Sequence, residues 1–141
     1  MSTAIRLAPA ASPPAHHHVV ESGLDFEATL QFLRDAITKA GFWLIAEVDP
    51  QMLLHRADIA MPPARQLFFF HPRFMAQLLA TNPNGLPEAP LKFAVLVHED
   101  GRVRIHHPDP HVAFTAHAGL APLGTELAQL SCEILSVLPF D

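Results

Sequence analysis

The stretch LKFAVLVHEDGRVRIHH, residues 91–107, predicts a β-hairpin, because two apolar runs flank a short turn that contains glycine. A two-residue turn would pair Glu99 with Arg102 and would mix apolar and charged groups on both faces. A three-residue loop, with Gly101 in the left-handed conformation of a bulge, pairs His98 with Arg102 instead. The second register separates the faces far better, so we expect it.

The expected register divides the hairpin into an apolar face and a polar face, because successive strand residues point to opposite sides. We therefore expect the first face to pack in the core and the second to lie towards solvent. The apolar face carries Phe93, Val95, Val97, Val103 and Ile105, and the polar face carries His98, Arg102, Arg104 and His106.

Two amphipathic helices lie far from the hairpin in the sequence. Asp25 can cap the first, which ends near Gly41. The second is TELAQLSCEILSVL, residues 125–138, in which Cys132 fits a small, partly buried position. Their apolar stripes are Phe26, Leu30, Leu33 and Ile37 in the first, and Leu127, Leu130, Ile134 and Leu138 in the second.

The remaining elements complete an α+β pattern. Residues 16–22 and 66–70 predict strands, and residues 42–49 predict a strand with Phe42, Leu44, Ala46 and Val48 on one face. Residues 50–65 are compatible with a helical turn followed by a connection, and residues 82–90 have a loop composition. Short helices should begin at Pro72 and after Asp109. The order, roughly β-α-β-β-α-β-β-α, predicts a two-layer sandwich with a mainly antiparallel sheet.

The composition indicates one globular domain and argues against some classes of binding partner. We expect a flexible leader over residues 1–15 and a single domain over residues 16–141. A net charge of −5 argues against nucleic acid and anionic membranes as partners. No apolar run is long enough for a membrane span, and residues 1–15 lack the core of a secretory signal. With a single cysteine, Cys132, the chain fits a reducing, cytoplasmic compartment.

Ten histidines raise the question of a metal site, and four of them fall within residues 103–117. His106 and His107 are adjacent in a strand and should face opposite ways. His98 and His106 share a face, but their positions lie about 13 Å apart along the strands at about 3.3 Å per residue. That span is too long for shared coordination through metal–nitrogen bonds of about 2 Å. His111 and His117 should diverge on a helix.

A site assembled in space remains open, because ligand sites often form where strands end and helices begin. His71, His107 and His111 occupy such junctions, and Arg104 lies on the polar face of the hairpin. The simpler alternative is that His71 and Asp109 only cap helices. No catalytic residue is indicated, since Ser131 and Cys132 lie mid-helix without a nucleophile elbow.

The order of the turn, cap and proline residues along residues 20–138 resembles that of the DUF302 family. The family pattern has a helix ending in Gly-Phe, a strand ending in an acidic residue, a proline that opens a helix, and an acidic-glycine hairpin turn. The matching positions are Gly41-Phe42, Asp49, Pro72, Asn82-Pro83, Pro90-Leu91, Asp100-Gly101 and Asp109-Pro110. The chain departs from the pattern with His71 in place of asparagine, and with Leu91 where some members carry a cysteine.

The resemblance implies a compact two-layer α+β domain, often paired as a homodimer, and carries no catalytic residues over. The departure at position 91 argues against extending a thiol role to this chain. We therefore expect a non-enzymatic domain that binds a small ligand or a protein through residues such as His71, Arg104, His107 and His111. The alternative is a metal- or haem-binding protein whose histidines converge in the fold or across a dimer interface. An enzyme with an unrecognised site ranks third.

Overall fold

The computed structural model describes residues 3–139. The strands are β1 Thr3–Ala4, β2 His17–Ser22, β3 Trp43–Val48, β4 Ile59–Ala60, β5 Ala64–Phe70, β6 Leu91–Val97 and β7 Val103–Pro108. The helices are α1 Phe26–Lys39, α2 Pro50–Arg56, α3 Pro72–Thr81, α4 Pro110–Thr115 and α5 Ala121–Ser136, with a 3-10 helix over Pro83–Glu88. No helix in this part of the chain is both long and apolar enough to cross a membrane.

Five strands form one antiparallel sheet in the order β2-β7-β6-β5-β3. Its inner face shares one hydrophobic core with α1, α3, α4 and α5, which confirms the two-layer α+β fold. The elements expected from the sequence are all present in order. The chain adds α2 in the ambiguous segment and the 3-10 helix in the expected loop. In the N-terminal segment, β1 pairs in parallel with β4.

The hairpin register is the one that the sequence predicts. Val97 lies opposite Val103, and the His98 N–H donates to the Arg102 carbonyl at 2.9 Å. Gly101 has a φ of +80°, the left-handed conformation that the three-residue loop requires. The apolar face packs in the core as expected, and its side chains are buried except for half-buried Val97.

Strand β3 departs from its predicted pattern. Leu44 pairs with Phe69, whereas Ala46 pairs with Phe68, so a β-bulge interrupts the alternation between them. The prediction of one common face for this strand is therefore wrong, because the bulge turns Ala46 to the side opposite Leu44. The same shift turns Glu47 towards the helices, where Arg34 of α1 donates two hydrogen bonds to its carboxylate at 2.7 and 2.8 Å.

Helix α1 has its predicted cap and stripe, whereas α5 begins at Ala121, four residues before its predicted start, and Leu130 of its predicted stripe is only half-buried. The Asp25 carboxylate accepts from the Ala28 N–H at 2.8 Å, and the predicted stripe of α1 is buried. In α5, Cys132 is exposed, so its prediction as a partly buried residue is wrong. The buried stripe of α5 passes through Ser131, one turn from Leu127, and the next residue is rotated away from the core.

The Arg34–Glu47 pair gives a test of how β3 is held against α1. The hydrogen bonds from Arg34 lower the pKa of Glu47 below its usual value of 4.5. We expect Glu47→Gln to lower the free energy of unfolding at neutral pH by about 0.5–1 kcal/mol. Because a depressed carboxyl pKa stabilises only above the unfolded-state value, this loss should fade as pH falls below 4.5 and through the folded-state pKa.

Urea unfolding at neutral and acidic pH measures this effect. Arg34→Gln supplies the matched background, in which Glu47→Gln should have little further effect at either pH. A cost for Glu47→Gln that is the same at both pH values would contradict the ion-pair origin.

Candidate functional site

A pocket of about 240 Å³ opens at the end of the sheet where β6 begins and β7 ends. We call it the His107 pocket. Its walls are mostly apolar and come from β5, β6, β7, α4, α5 and the segment before β6. The lining residues are Phe68, Pro87, Glu88, Ala89, Pro90, Leu91, Lys92, Phe93, His107, Pro108, Pro110, Ala113, Phe114 and Ser131.

The corner between β7 and α4 places one wall of this pocket. The Asp109 side chain caps α4 by accepting from the His111 N–H at 2.9 Å, and its own N–H donates to the His16 carbonyl at 2.7 Å. Gly124 lets α5 approach α4 closely, since an added Cβ would lie 3.1 Å from the Pro110 carbonyl oxygen. The pocket is therefore held by backbone contacts on both sides.

His107 is the buried polar residue at the centre of the site, with 5% of its surface exposed. Its Nδ1 lies 3.1 Å from the Pro108 carbonyl oxygen, which can only accept, so Nδ1 carries the proton. Nε2 has no hydrogen-bond partner among residues 3–139 and is the unprotonated acceptor of a ring that lines the pocket, where solvent reaches it. Burial, with a smaller contribution from His18, lowers the pKa of His107 and keeps the ring neutral.

Three other polar residues line the pocket with this imidazole: Ser131, Glu88 and the exposed Lys92. Ser131 of α5 is only 2% exposed, lines the pocket and is hydrogen-bonded to no other side chain in the described range. The Glu88 carboxylate accepts from His117 Nε2 at 2.8 Å and is already partnered. The pocket thus combines one imidazole acceptor, one hydroxyl and two charged side chains with walls that are mostly apolar. Ser131 was not selected from the sequence, although its spacing of four from Leu127 places it on the buried stripe of α5.

His71 lies outside the pocket and caps α3. Its Nδ1 accepts from the Arg73 N–H at 3.0 Å, and its ring packs against Phe42 and Phe74 with centroids 6.0 and 5.2 Å away. This geometry matches the simpler of the two interpretations drawn from the sequence, in which the residue caps a helix.

Arg104 and His111 also line no wall of the pocket. Arg104 lies on the outer face of the sheet, 2.6 Å from Asp100 and 3.4 Å from Glu21. His111 lies at the start of α4 with its Nδ1 3.2 Å from the Thr125 hydroxyl. Of the four residues selected from sequence, only His107 lines the pocket. Residues 3–139 contain no group of three histidine, cysteine or acidic side chains that could hold a metal ion.

The structure does bring together a pair that the sequence argument separated. His98 Nε2 and His106 Nε2 lie 2.8 Å apart on the outer face. The expectation that these residues are too far apart to meet is wrong, because it counted distance along the backbone only. Side chains in a strand lean along the strand direction, and here both lean towards the middle of the span.

The protonation of His107 can be tested directly. Long-range proton–nitrogen NMR spectra at neutral pH should show Nδ1 protonated and Nε2 unprotonated, with a titration midpoint below the usual 6.5. A His107→Phe variant identifies the signal by its absence. Because only the unfolded chain takes up a proton at this residue near pH 6.5, the variant should also lose part of its acid sensitivity of unfolding. Protonation at Nε2 instead would contradict the assigned tautomer.

Comparison with known proteins gives a family and a fold. A crystal structure of an uncharacterised DUF302 protein from Bacillus stearothermophilus superposes with a TM-score of 0.80 at 19% sequence identity, over 89% of this chain and 100% of the other. No curated protein sequence matches. The model of the domain of unknown function DUF302 matches residues 18–138. The chain therefore belongs to the DUF302 family, which confirms the resemblance seen in its sequence.

Proposed function

We propose that this domain is a binding protein for a small, uncharged molecule that enters the His107 pocket. The observation that carries the proposal is the unprotonated Nε2 of a largely buried, neutral imidazole in a pocket whose walls are mostly apolar. Solvent reaches this atom, so a ligand that donates to Nε2 replaces water there, and the expected net gain is about 0.5–1.5 kcal/mol.

The pocket restricts the chemistry of the ligand. Its volume of about 240 Å³ is below the range of about 300–1,000 Å³ found for drug-sized ligands. A haem, which the sequence left open, is too large for this space. Aromatic rings of Phe93 and Phe114 favour an apolar or aromatic body, and Nε2 selects a hydroxyl or N–H donor. A small phenolic or alcoholic molecule fits both demands.

The hydrogen-bond partners of His107 and Ser131 favour binding over catalysis. A nucleophile and its base should lie within hydrogen-bond reach, and Ser131 Oγ is not hydrogen-bonded to His107. A catalytic base would also need a group that orients its ring. Here that group is the uncharged backbone carbonyl of Pro108. A neutral, oriented acceptor is suited to recognition.

Phenol and anisole test the proposal, because the two molecules share a ring and only phenol donates a hydrogen bond. In the wild-type protein we expect phenol to bind about 2- to 10-fold more tightly, as one net hydrogen bond of about 0.5–1.5 kcal/mol requires. In His107→Phe the preference should disappear, since the ring remains and the acceptor is lost. Chemical-shift titrations of the pocket residues give both dissociation constants.

The matched control is His106→Ala, which alters the neighbouring histidine on the opposite face and should leave the phenol preference unchanged. Thermal unfolding of each variant checks that the fold persists. Equal binding of phenol and anisole to the wild-type protein, or shifts confined to residues outside the pocket, would count against the proposal.

We propose further that two copies associate through the sheet edge formed by β3. This edge strand exposes Trp43 by 67% and Ile45 by 55%, an unusual density of large apolar surface. Tryptophan is among the residues that contribute most to protein interfaces.

The cytoplasmic location that the sequence favours agrees with an exposed thiol at Cys132, which has no second cysteine to pair with.

Trp43→Lys is expected to convert a dimer to a monomer in light scattering at micromolar concentration, because it places a charge in the apolar contact. Trp43 is the only tryptophan, so its fluorescence should shift to shorter wavelength as the wild-type protein is concentrated. Val112→Lys is the matched control, since this valine is 48% exposed on α4, which packs against α5. A monomeric wild-type mass would refute the association.

A further inference from the structure

The two histidines on the outer face of the hairpin are arranged end to end. Their Nε2 atoms are 2.8 Å apart, while the ring centroids are 5.0 Å apart and the planes differ by 10°. Rings stacked face to face could not bring two atoms so close. The centroid distance instead equals the nitrogen–nitrogen distance plus roughly one ring radius on each side, so each Nε2 points at the other.

This arrangement requires the two rings to be in different tautomers. One Nε2 donates its proton and the other accepts it through a lone pair directed along the line between them. Burial lowers the pKa of both His98 and His106, so the neutral pair prevails near neutral pH. Both side chains are half-buried, and solvent therefore reaches the pair.

Charged groups of both signs surround the pair. Arg104 is the cationic group next to both rings, and it is held by Asp100 at 2.6 Å and Glu21 at 3.4 Å. Glu99 also acts on His98, and His17 on His106. These groups together carry more negative than positive charge, so the choice of ion rests on the linear geometry of the two nitrogens and not on charge.

We propose that His98 and His106 form a two-coordinate site for a monovalent copper ion, held in line between the two Nε2 atoms. Imidazole is a good ligand for copper, and closed-shell monovalent ions accept linear coordination by two nitrogens. The ion replaces the bridging proton, which moves through solvent to Nδ1 of the same ring, so no electron transfer and no net proton release occur. With bonds of about 2 Å, the two Nε2 atoms would separate to about 4 Å.

Zinc fits the pair poorly for two reasons. Structural zinc sites need four ligands whose lone pairs converge, and no group of three histidine, cysteine or acidic side chains is suitably placed within residues 3–139. The lone pairs here lie on one line and do not converge to a tetrahedral centre. The site is also distinct from the His107 pocket, which lies on the other face of the sheet, so the two proposals succeed or fail separately.

The experiment titrates the full chain with Ag(I), a monovalent ion with the same linear preference that keeps its oxidation state. A Cys132→Ser background is used, because the exposed thiol would otherwise take the ion first. NMR signals of the His98 and His106 rings should shift together and saturate at one equivalent. His98→Ala and His106→Ala should each weaken binding by more than about tenfold, since half of the coordination is lost. Cu(I) under anaerobic competition with a chelator should give the same ranking.

His17→Ala is the control, because the His16 and His17 rings lie 4.5 Å apart at the start of β2 and offer competing nitrogens. It should leave the response of the His98–His106 pair unchanged. Urea unfolding without metal confirms that each variant is folded. Saturation of residues 16–18 before the pair, undiminished binding by His106→Ala, or a one-equivalent Zn(II) complex of the pair would each overturn the assignment.

Discussion

The register of the β6–β7 hairpin is the constraint on which the rest of this structure depends. A three-residue loop closed by Gly101 in the left-handed conformation fixes which residues of both strands face the helices. A slip of one residue would exchange the faces and would bury His98 and Arg104 in place of Val95. Burying those polar groups without partners would cost far more than a single domain of this size can tolerate. The core and both histidine sites therefore follow from one turn.

The same alternation explains why a histidine is found in the core. His107 follows Val103 and Ile105 on the inner face, so the register carries its imidazole into the apolar layer. Its edge-on contact with Phe93, at a centroid distance of 5.5 Å, and the carbonyl of Pro108 satisfy the ring on two sides. On its third side the His107 ring borders only the pocket. A core that served stability alone would be better filled by an apolar residue at this position.

Local patterns predicted the fold well and the site only in part. The hairpin, the cap at Asp25 and the stripe of α1 depend on residues near in sequence, and the sequence predicts each of them correctly. The bulge after Leu44 was missed because no glycine or proline marks it. Ser131 was not selected because a serine among leucines marks no site, although its spacing of four from Leu127 places it on the buried side of α5. The His98–His106 contact was not predicted because the spacing along the backbone does not include the length of two side chains that lean towards each other.

Adjacent positions in β7 thus serve opposite sides of the sheet. His106 and His107 are covalent neighbours, yet one shares a proton with His98 at the outer face and the other presents a lone pair to an inner pocket. No single ligand can contact both while the strand stays regular. Any influence of one site on the other must pass through the backbone of β7, which is fixed on both sides by its pairing with β2 and β6. A strand held in this way transmits little displacement, so a change at one face of the sheet should leave the other face undisturbed.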